Sequence, residues 1–285
     1  MVFQWSSLPL LMPALILIGL LFLLPIGYAF YYAFTNLQLA GPHAVLYGLT
    51  GLQNVKQLIH DPEFLHSIVL TVIFIAGSAI LGQTVIGLAL ALIMRRALAA
   101  IRLSVGAIVV LAWVLPSVTS AFVWYAFAQQ GGTLGTILHN PAGSYLVNDA
   151  MLIVSIANSW RSVAFSMLMF AAALRNLPTE VLEAAEVDGI PAWRRLSSVV
   201  IPMLRGTIVT NLLLVTLGNI SEFTLIWILT RGGPVDATTT MPVYMYLVSF
   251  IYDNLGYGSM IGLALVLLAG LISLLYVRNV KDRMA

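Results

Sequence analysis

Six long apolar runs, separated by shorter polar segments, dominate the hydropathy pattern of this chain. Each run has about twenty or more residues, which is the length that a helix needs to cross a lipid bilayer. The predicted spans are approximately Leu8–Phe34, Ser67–Met94, Ser104–Phe127, Met151–Leu174, Gly206–Leu229 and Gly258–Val277. No internal repeat or second folded region is visible. The pattern therefore predicts an all-α polytopic membrane protein in which residues 1–285 form a single transmembrane domain.

Three prolines, Pro13, Pro25 and Pro116, fall inside the predicted spans. Proline removes a backbone donor and clashes with the preceding helical turn, so we expect bends at these positions. Neighbouring helices in a membrane bundle satisfy the freed carbonyl groups, so the prolines do not argue against the spans.

The composition agrees with a membrane protein. Of the 285 residues, 60% are hydrophobic and 8% are charged, whereas a soluble domain carries about 25% charged residues. A net charge of +2 gives no support to a nucleic-acid partner, and the absence of cysteine excludes disulfides and cysteine nucleophiles. The first apolar run follows no Lys or Arg and is too long for a signal-peptide core, so we expect a retained helix.

The positions of the basic residues predict the orientation in the membrane. Ten of the thirteen follow the second, fourth or sixth span: Arg95, Arg96, Arg102, Arg175, Arg194, Arg195, Arg205, Arg278, Lys281 and Arg283. The opposite side has only Lys56 and Arg231, and Arg161 lies within a span. Because cytoplasmic loops are enriched in Lys and Arg, both termini and the loop of residues 175–205 are predicted to be cytoplasmic.

Two outer segments carry local structural signals. Asp61-Pro62-Glu63-Phe64 is typical of a helix start that leads into the second span. Arg231-Gly232-Gly233-Pro234 predicts a turn. The aromatic stretch that follows, from Tyr244 to Tyr257, fits either an interfacial belt or a short helix on the outer surface.

The cytoplasmic loop of residues 175–205 predicts two short helices joined by a glycine corner and lying parallel to the membrane. Pro178 suits the first turn of a helix, and Gly189 can adopt the left-handed conformation that ends one. Pro191 can begin the second helix, with Trp193 and Leu196 on its apolar side. A simple amphipathic connector resting on lipid is the alternative, but the acidic first helix is poorly suited to an anionic leaflet.

The same loop resembles a known motif. Glu183-Ala-Ala-Glu-Val-Asp-Gly189, with Pro202 thirteen residues after the glycine, is similar to the EAA loop of ABC-importer permeases. Residues in the rest of this loop and elsewhere in the chain resemble the carbohydrate-uptake branch of that family, which includes maltose-type and glycerol-phosphate-type permeases. They are Leu11-Met-Pro-Ala14, Pro25-Ile-Gly-Tyr28, Gly51-Leu-Gln-Asn54, Gly87-Leu-Ala-Leu-Ala91, Trp160-Arg161, Trp193, Val199, Ile201-Pro202, Gly232-Gly-Pro234, Thr238, Tyr246 and Phe250.

Four positions depart from the pattern of that branch. They are Ile190, where alanine is usual, Leu196, where phenylalanine is usual, Ile201, where leucine is usual, and Gly206, where proline is frequent. Most of these changes exchange apolar residues of similar volume, so they affect fine packing rather than docking.

The resemblance implies that the loop is a coupling element. In that family it inserts into a cleft on a cytoplasmic ATPase subunit, and the residues implied here are Glu183, Ala184, Ala185, Asp188 and Gly189. Glu183 would face a basic group, and Gly189 would permit the bend. The implied partners are a second homologous permease, two ATPase subunits that hold ATP and Mg, and an extracytoplasmic binding protein. The implied location is a bacterial or archaeal cell membrane.

This chain has no nucleotide-binding loop of its own. A P-loop requires a lysine after glycine so that backbone amides and the side chain surround the phosphates. The two lysines, Lys56 and Lys281, do not follow glycine. We therefore expect no cofactor in this chain and no ATP hydrolysis by it.

Polar residues within the fourth and fifth spans are candidates for the substrate pathway. Arg161 and Glu222 would be costly against lipid, so each is expected to face the bundle interior or a water-filled cavity. On a continuous helix, Asn211, Gly218, Asn219 and Glu222 fall within an arc of about 100°. Ser155, Ser159, Ser162 and Ser166 form a stripe on the fourth span, and Arg161 lies off it, which predicts a different surface for Arg161.

Two interpretations of these polar residues stay open. In the first, Arg161 and Glu222 form a structural pair, and the small residues serve helix packing. In the second, Asn158, Asn219 and Glu222 contact a sugar, and Gln83 is a weaker candidate. Trp160 or Trp227 would then stack on the sugar ring.

Two other functions compete with an importer subunit. An enzyme acting on lipid-linked sugars would need an acidic or histidine cluster near the membrane interface. The acidic residues Asp61, Glu63, Asp149, Asp236 and Asp253 are scattered, and His43, His60, His66 and His139 lack the regular spacing of a metal site. A secondary transporter is disfavoured because no inverted repeat or pair of broken helices is evident.

Overall fold

A computed structural model describes residues 8–281 of the chain. The described part is built from helices, and its one β feature is an isolated bridge between Thr35 and Leu49, so the predicted all-α class is confirmed. The α-helices are α1 Leu8–Ile18, α2 Leu24–Tyr32, α3 Gln53–His60, α4 Pro62–Phe74, α5 Ile86–Arg96, α6 Ala99–Val114, α7 Ser117–Ala128, α8 Thr133–Ile137, α9 Tyr145–Asn148, α10 Ala150–Arg175, α11 Thr179–Val187, α12 Ala192–Arg195, α13 Ile201–Met203, α14 Arg205–Ile220, α15 Thr224–Thr230, α16 Met241–Tyr246 and α17 Leu255–Lys281. Turns of π-helix occupy Gly19–Leu23, Ile75–Val85, Leu196–Val200 and Leu247–Ile251, and a 3₁₀ turn occupies Pro42–Ala44.

Four helices of the described chain are long and apolar enough to cross a membrane. They are Leu11–Tyr32, Pro62–Arg96, Ala150–Arg175 and Leu255–Tyr276. Two bent helix pairs raise the number to six if each pair counts as one span. The number of predicted spans thus equals this upper bound.

The third predicted span contains a sharp corner. Its helices α6 and α7 meet at 107°. Leu115 and Pro116 at the corner are both extended, with ψ of 132° and 144°. Leu115 is extended because a residue before proline avoids the helical conformation. Pro116 therefore does more than bend the span: it redirects the chain.

The fifth predicted span, Gly206–Leu229, is wrong as one continuous helix. The preceding helix Ala192–Met203 meets α14 at 70°, and α14 ends at Ile220. Three residues separate that end from α15 at Thr224. The run is apolar enough throughout that hydropathy alone does not mark the break.

The described chain forms two compact units, and the first comprises the chain up to Leu65 together with Tyr244–Leu267. In this unit the buried Asn54 donates hydrogen bonds to the carbonyls of Ala33 and Thr35 at 2.8 and 2.9 Å. These bonds satisfy backbone acceptors where α2 ends, as buried polar groups require.

Asp61 begins α4 as predicted. Its Oδ1 accepts the backbone N–H groups of Glu63 and Phe64 at 2.9 and 3.3 Å, which is an N-terminal cap. Its Oδ2 accepts the hydroxyls of Tyr244, at 2.6 Å, and Tyr257. Burial alone would raise the pKa of Asp61, but the four hydrogen bonds outweigh it and hold that pKa below its usual value of 3.8.

The second unit comprises His66–Val243 and the chain from Leu268. Here α10 packs against the second long helix through small residues. A Cβ added at Gly87 would lie 2.6 Å from the Cβ of Ser166, and one added at Gly82 would overlap Ser159. The serine stripe on α10 thus lets two helix backbones approach closely, which is the packing mode that small residues provide in membrane bundles.

The aromatic stretch after the Gly-Gly-Pro turn is helical. It forms α16 and the following π-helical turn, so one continuous apolar helix covers Met241–Ile251. The predicted short helix is therefore present, while an interfacial belt of tyrosines stays a prediction.

Candidate functional site

A polar cavity of about 250 Å³ opens in the second unit between α10 and α14. Its lining residues come from four elements of the bundle and the break after α14. They are Gln83, Trp113, Asn158, Arg161, Ser162, Phe165, Leu214, Val215, Gly218, Asn219 and Glu222. Four of the five predicted pathway residues therefore share one cavity.

Asn219 lies at the centre of a buried amide network. Its Oδ1 accepts the Nδ2 of Asn158 at 2.6 Å and the Nε2 of Gln83 at 3.2 Å. Its own Nδ2 donates to the carbonyl of Val215 at 2.6 Å. Asn158 and Gln83 both also donate to Ser78 Oγ, at 2.7 and 3.2 Å. The three amides are thereby held in fixed orientations.

Arg161 extends this network toward the break after α14. Its Nη2 donates to Asn158 Oδ1 at 3.2 Å and to Glu222 Oε2 at 2.9 Å. The expectation that Arg161 serves a different surface is wrong, because its long side chain reaches back to the Asn158 face of α10. Its Nε is buried and has no hydrogen-bond partner within the described chain.

Glu222 reaches the cavity from a non-helical position. The predicted helical arc that included Glu222 is wrong because α14 ends at Ile220. Glu222 Oε1 instead accepts the backbone N–H of Leu225 at 3.0 Å, in the first turn of α15. Asn211, another member of that arc, donates to Thr84 Oγ1 at 3.0 Å and does not line the cavity.

The aromatic residues of the cavity differ from those predicted. Trp160 packs against Trp124, with ring centroids 6.2 Å apart. Trp227 lies 5.8 Å from Phe223. Neither Trp160 nor Trp227 lines the cavity, whereas Trp113 and Phe165, 6.3 Å apart, both do.

The sequence carries a signal for one of these two aromatic residues. Asn158, Arg161, Ser162 and Phe165 stand at i, i+3, i+4 and i+7, which is one face of a helix. Phe165 follows from that spacing, but Trp113 comes from another helix and has no comparable signal.

The cavity is suited to a polar, uncharged or weakly charged solute. Amide, hydroxyl and guanidinium groups supply both donors and acceptors, and aromatic rings supply an apolar surface. The charges of Arg161 and Glu222 compensate each other. Within residues 8–281, no group of three or more His, Asp or Glu side chains is placed to hold a metal ion.

The EAA loop, residues 175–205, contains the two predicted short helices, α11 and α12, with Gly189 between them. Gly189 has φ of +68° and open space around it, so conformation rather than crowding accounts for the glycine. The N–H groups of Gly189 and Ile190 donate to the carbonyls of Glu186 and Ala185 at 3.1 and 3.2 Å. This pair of bonds is a Schellman motif, which ends α11 with its carbonyls satisfied.

The predicted coupling residues fall on two sides of α11. Glu183 and Ala184 are exposed, as are Asp188 and Gly189 at its end. Ala185 is only 6% exposed and serves the packing of its own chain. Glu183, Ala184, Asp188 and Gly189 therefore lie on surface that is available to a partner.

An apolar cluster attaches the EAA loop to the bundle, and an ion pair within the loop ties its two helices together. Glu186 Oε2 lies 2.9 Å from Arg195 Nη1 and ties α11 to α12. Leu177, Leu182 and Leu196 pack against a buried cluster in the second unit. The cluster consists of Ala91, Met167, Phe170, Leu174, Val200 and Leu204.

Comparison with known sequences identifies relatives that match nearly the full length. A probable ABC transporter permease of Pyrococcus horikoshii is 31% identical over 280 residues, covering 93% of this chain and 92% of the relative. A trehalose transport system permease of Mycobacterium tuberculosis is 31% identical over 271 residues, covering 94% and 86%. A sulfoquinovosyl glycerol transport system permease of Agrobacterium fabrum is 27% identical, covering 96% and 90%.

The fold has a counterpart in a solved transporter. A bacterial ABC transporter involved in the import of the acidic polysaccharide alginate matches with a TM-score of 0.77 and 19% identity, over 98% of this chain and 96% of that one. The family model of binding-protein-dependent transport system inner membrane components matches residues 83–285. This chain therefore belongs to the family of binding-protein-dependent transport system inner membrane components, the multi-pass permeases of ABC transporters.

Proposed function

We propose that this chain is one permease subunit of an ATP-driven importer that carries a sugar or sugar-like solute into the cytoplasm. Family membership makes it a transport permease rather than an enzyme acting on lipid-linked sugars. Relatives named for the transport of trehalose and sulfoquinovosyl glycerol support the solute class. A cavity lined by three side-chain amides, one serine and two aromatic rings supports it independently.

The working transporter, in this proposal, contains several other chains. A second related permease completes the pathway, two ATPase subunits bind ATP and Mg, and an extracytoplasmic binding protein delivers the solute. A solved alginate transporter complexed with its periplasmic protein is a structural relative, with a TM-score of 0.77. Both termini and the EAA loop of this chain face the cytoplasm of a bacterial or archaeal cell, as the distribution of Arg and Lys favours.

The observation that carries the mechanism is that α10 contacts both candidate regions. Asn158 and Arg161 line the polar cavity, and Phe170 and Leu174 belong to the cluster on which the EAA loop packs. Thirteen residues separate Arg161 from Leu174, which is about 20 Å along a helix. A well-packed helix moves as a rigid body, so displacement of the EAA loop would displace one wall of the cavity.

ATP-driven closure of the ATPase subunits would therefore push on the EAA loop and change access to the cavity. Glu183 would contact a basic group of the ATPase, while Leu182 on the same helix transmits the displacement to the bundle. In the cavity, the side chains of Asn158, Asn219 and Arg161 would hydrogen-bond solute hydroxyls. Glu222 would hold Arg161 in place.

Reconstitution of the complete transporter in proteoliposomes tests this function. Hydrolysis of ATP and uptake of labelled solute are measured together, with and without solute-loaded binding protein. We expect Glu183→Ala to lower uptake per ATP hydrolysed by at least tenfold while the chain still inserts into the membrane. Glu180→Ala, on the same helix, is the matched control and should keep the coupling ratio.

Two results would contradict the proposal. Solute uptake by this chain alone, without ATPase subunits, would make it a self-sufficient transporter. A normal ratio of uptake to ATP hydrolysis in the Glu183→Ala transporter would mean that Glu183 of the EAA loop does not couple hydrolysis to transport.

A further inference from the structure

A second cavity, of about 340 Å³, lies in the second unit where α5, α6 and α10 end or begin. It shares no residue with the polar cavity. Its floor is apolar and includes Ala91, Met94, Met167 and Leu174. Its polar lining consists of three arginines: Arg95, Arg102 and Arg175.

The three arginines form a cationic rim with no acidic counterpart. Arg95 and Arg175 lie in the last turns of α5 and α10, and Arg102 lies near the start of α6. All three side chains are exposed, and no Asp or Glu of the described chain lines the cavity. Like charges held around one opening repel each other, so an anion bound among them is stabilised by all three.

The position of the rim and the apolar floor of the cavity indicate which kind of anion binds there. Helices α10 and α5 belong to segments long enough to span a membrane, so the rim lies where lipid headgroups meet the hydrocarbon region. A soluble anion would satisfy the arginines but leave the apolar floor wet. A phospholipid places its phosphate against guanidinium groups, which bind phosphate through paired hydrogen bonds, and its acyl chain against the floor.

We propose that this cavity binds an anionic phospholipid, with the headgroup phosphate among Arg95, Arg102 and Arg175 and one acyl chain on the floor. The site depends on the membrane embedding of the chain and on its local charge, but not on the solute that is transported. Basic pockets between membrane helices are a known form of lipid recognition. The site would anchor the junction of α5, α6 and α10, beside the cluster on which the EAA loop packs.

Native mass spectrometry of the purified transporter complex tests the site. The delipidated complex is titrated with phosphatidylglycerol and with phosphatidylcholine of the same acyl chains. We expect tighter binding of phosphatidylglycerol, and a loss of at least tenfold in its affinity in the triple variant Arg95→Gln, Arg102→Gln, Arg175→Gln. Arg96→Gln is the matched control, because Arg96 follows Arg95 but does not line this cavity, and it should retain most of the affinity.

A second variant tests the apolar part separately. Gly106 lines the cavity and a Cβ added there meets no atom within 4 Å. Gly106→Leu should therefore occupy part of the cavity and weaken phosphatidylglycerol binding while leaving all arginines in place. Equal binding of the two lipids, or unchanged binding in the triple variant, would overturn the proposal. If millimolar inorganic phosphate displaced phosphatidylglycerol and Gly106→Leu had no effect, the cavity would be a site for a soluble anion, and the proposed lipid site would be wrong. None of these results depends on transport, so the proposed function is tested separately.

Discussion

Arg161 on α10 and Glu222 after α14 form an ion pair in which Nη2 lies 2.9 Å from Oε2. The two side chains are only 18% and 12% exposed, so salt and water screen the pair weakly. Glu222 also accepts the backbone N–H of Leu225 through its other oxygen. One carboxylate thus fixes both the guanidinium in the cavity and the start of α15.

We expect Glu222→Gln to destabilise the protein, because it leaves the partly buried Arg161 without its counter-charge. Removal of one partner from a buried pair costs about 3 kcal/mol or more. Glutamine keeps the side-chain volume and an acceptor for the N–H of Leu225, so the loss of stability measures the effect of removing the charge. Thermal unfolding of the purified complex in detergent measures it.

A double variant separates structure from transport at this pair. Arg161→Met combined with Glu222→Gln removes both charges and should recover much of the lost stability. We expect it to remain defective in solute uptake, since the donors of Arg161 are gone. A double variant with normal uptake would leave Arg161 and Glu222 a purely structural pair.

Close packing of α10 on the second long helix gives a second prediction. Gly82→Val should destabilise the protein strongly, because any Cβ at this position overlaps Ser159 and overpacking of a dense interior typically costs about 1–3 kcal/mol. Gly106→Ala is the control, since a Cβ there meets no atom within 4 Å. Thermal unfolding and the yield of folded complex compare the two. Equal stability of both variants would contradict the packing.

The sequence predicts the polar residues of the cavity better than its aromatic lining. Asn158, Arg161, Asn219 and Glu222 follow from one physical rule, that ionisable and amide groups at membrane depth face the bundle interior. Trp160 was misplaced because two residues correspond to about 200° around a helix, so a neighbour of Asn158 at that spacing points away from it.

Other features had no local signal. The break at Ser221 interrupts a run that is apolar on both sides, so hydropathy treats it as continuous. Trp113 joins the cavity through the packing of α6 against α10, which is a tertiary contact that the spacing of residues in one helix does not encode. Gly189 was predicted correctly because a left-handed corner makes a local demand on residue type.

Asp61 gives a prediction about pH. Its folded-state pKa lies below 3.8 because four hydrogen bonds stabilise the carboxylate. This contribution to stability is fully present above the unfolded pKa of about 3.9 and is lost as pH falls through the lower folded pKa. We expect Asp61→Asn to be less stable near neutral pH by about 2 kcal/mol, the scale of hydrogen bonds to a charged group.

To test this, the melting temperatures of the wild-type protein and of Asp61→Asn are compared from about pH 7 to about pH 3, a range that includes the unfolded pKa of aspartate. The difference should be constant near neutral pH and shrink below about pH 4. Tyr244→Phe removes one donor to Asp61 and should show a smaller effect of the same sign. A pH-independent difference would contradict a role for the charged form.

Gly189 gives the last prediction, which concerns the link between the EAA loop and the bundle. Its φ of +68° lies in the left-handed region, where a β-branched residue is strongly disfavoured. Gly189→Val should therefore unwind the end of α11, lose the Gly189 and Ile190 hydrogen bonds, and lower uptake per ATP hydrolysed. Gly189→Asn is the matched control, because asparagine tolerates this conformation and the space around the residue is open. The two variants are compared in proteoliposomes by the ratio of uptake to hydrolysis. If valine and asparagine lower this ratio equally, the added side chain rather than the backbone conformation is responsible, and the glycine is required for contact with the ATPase.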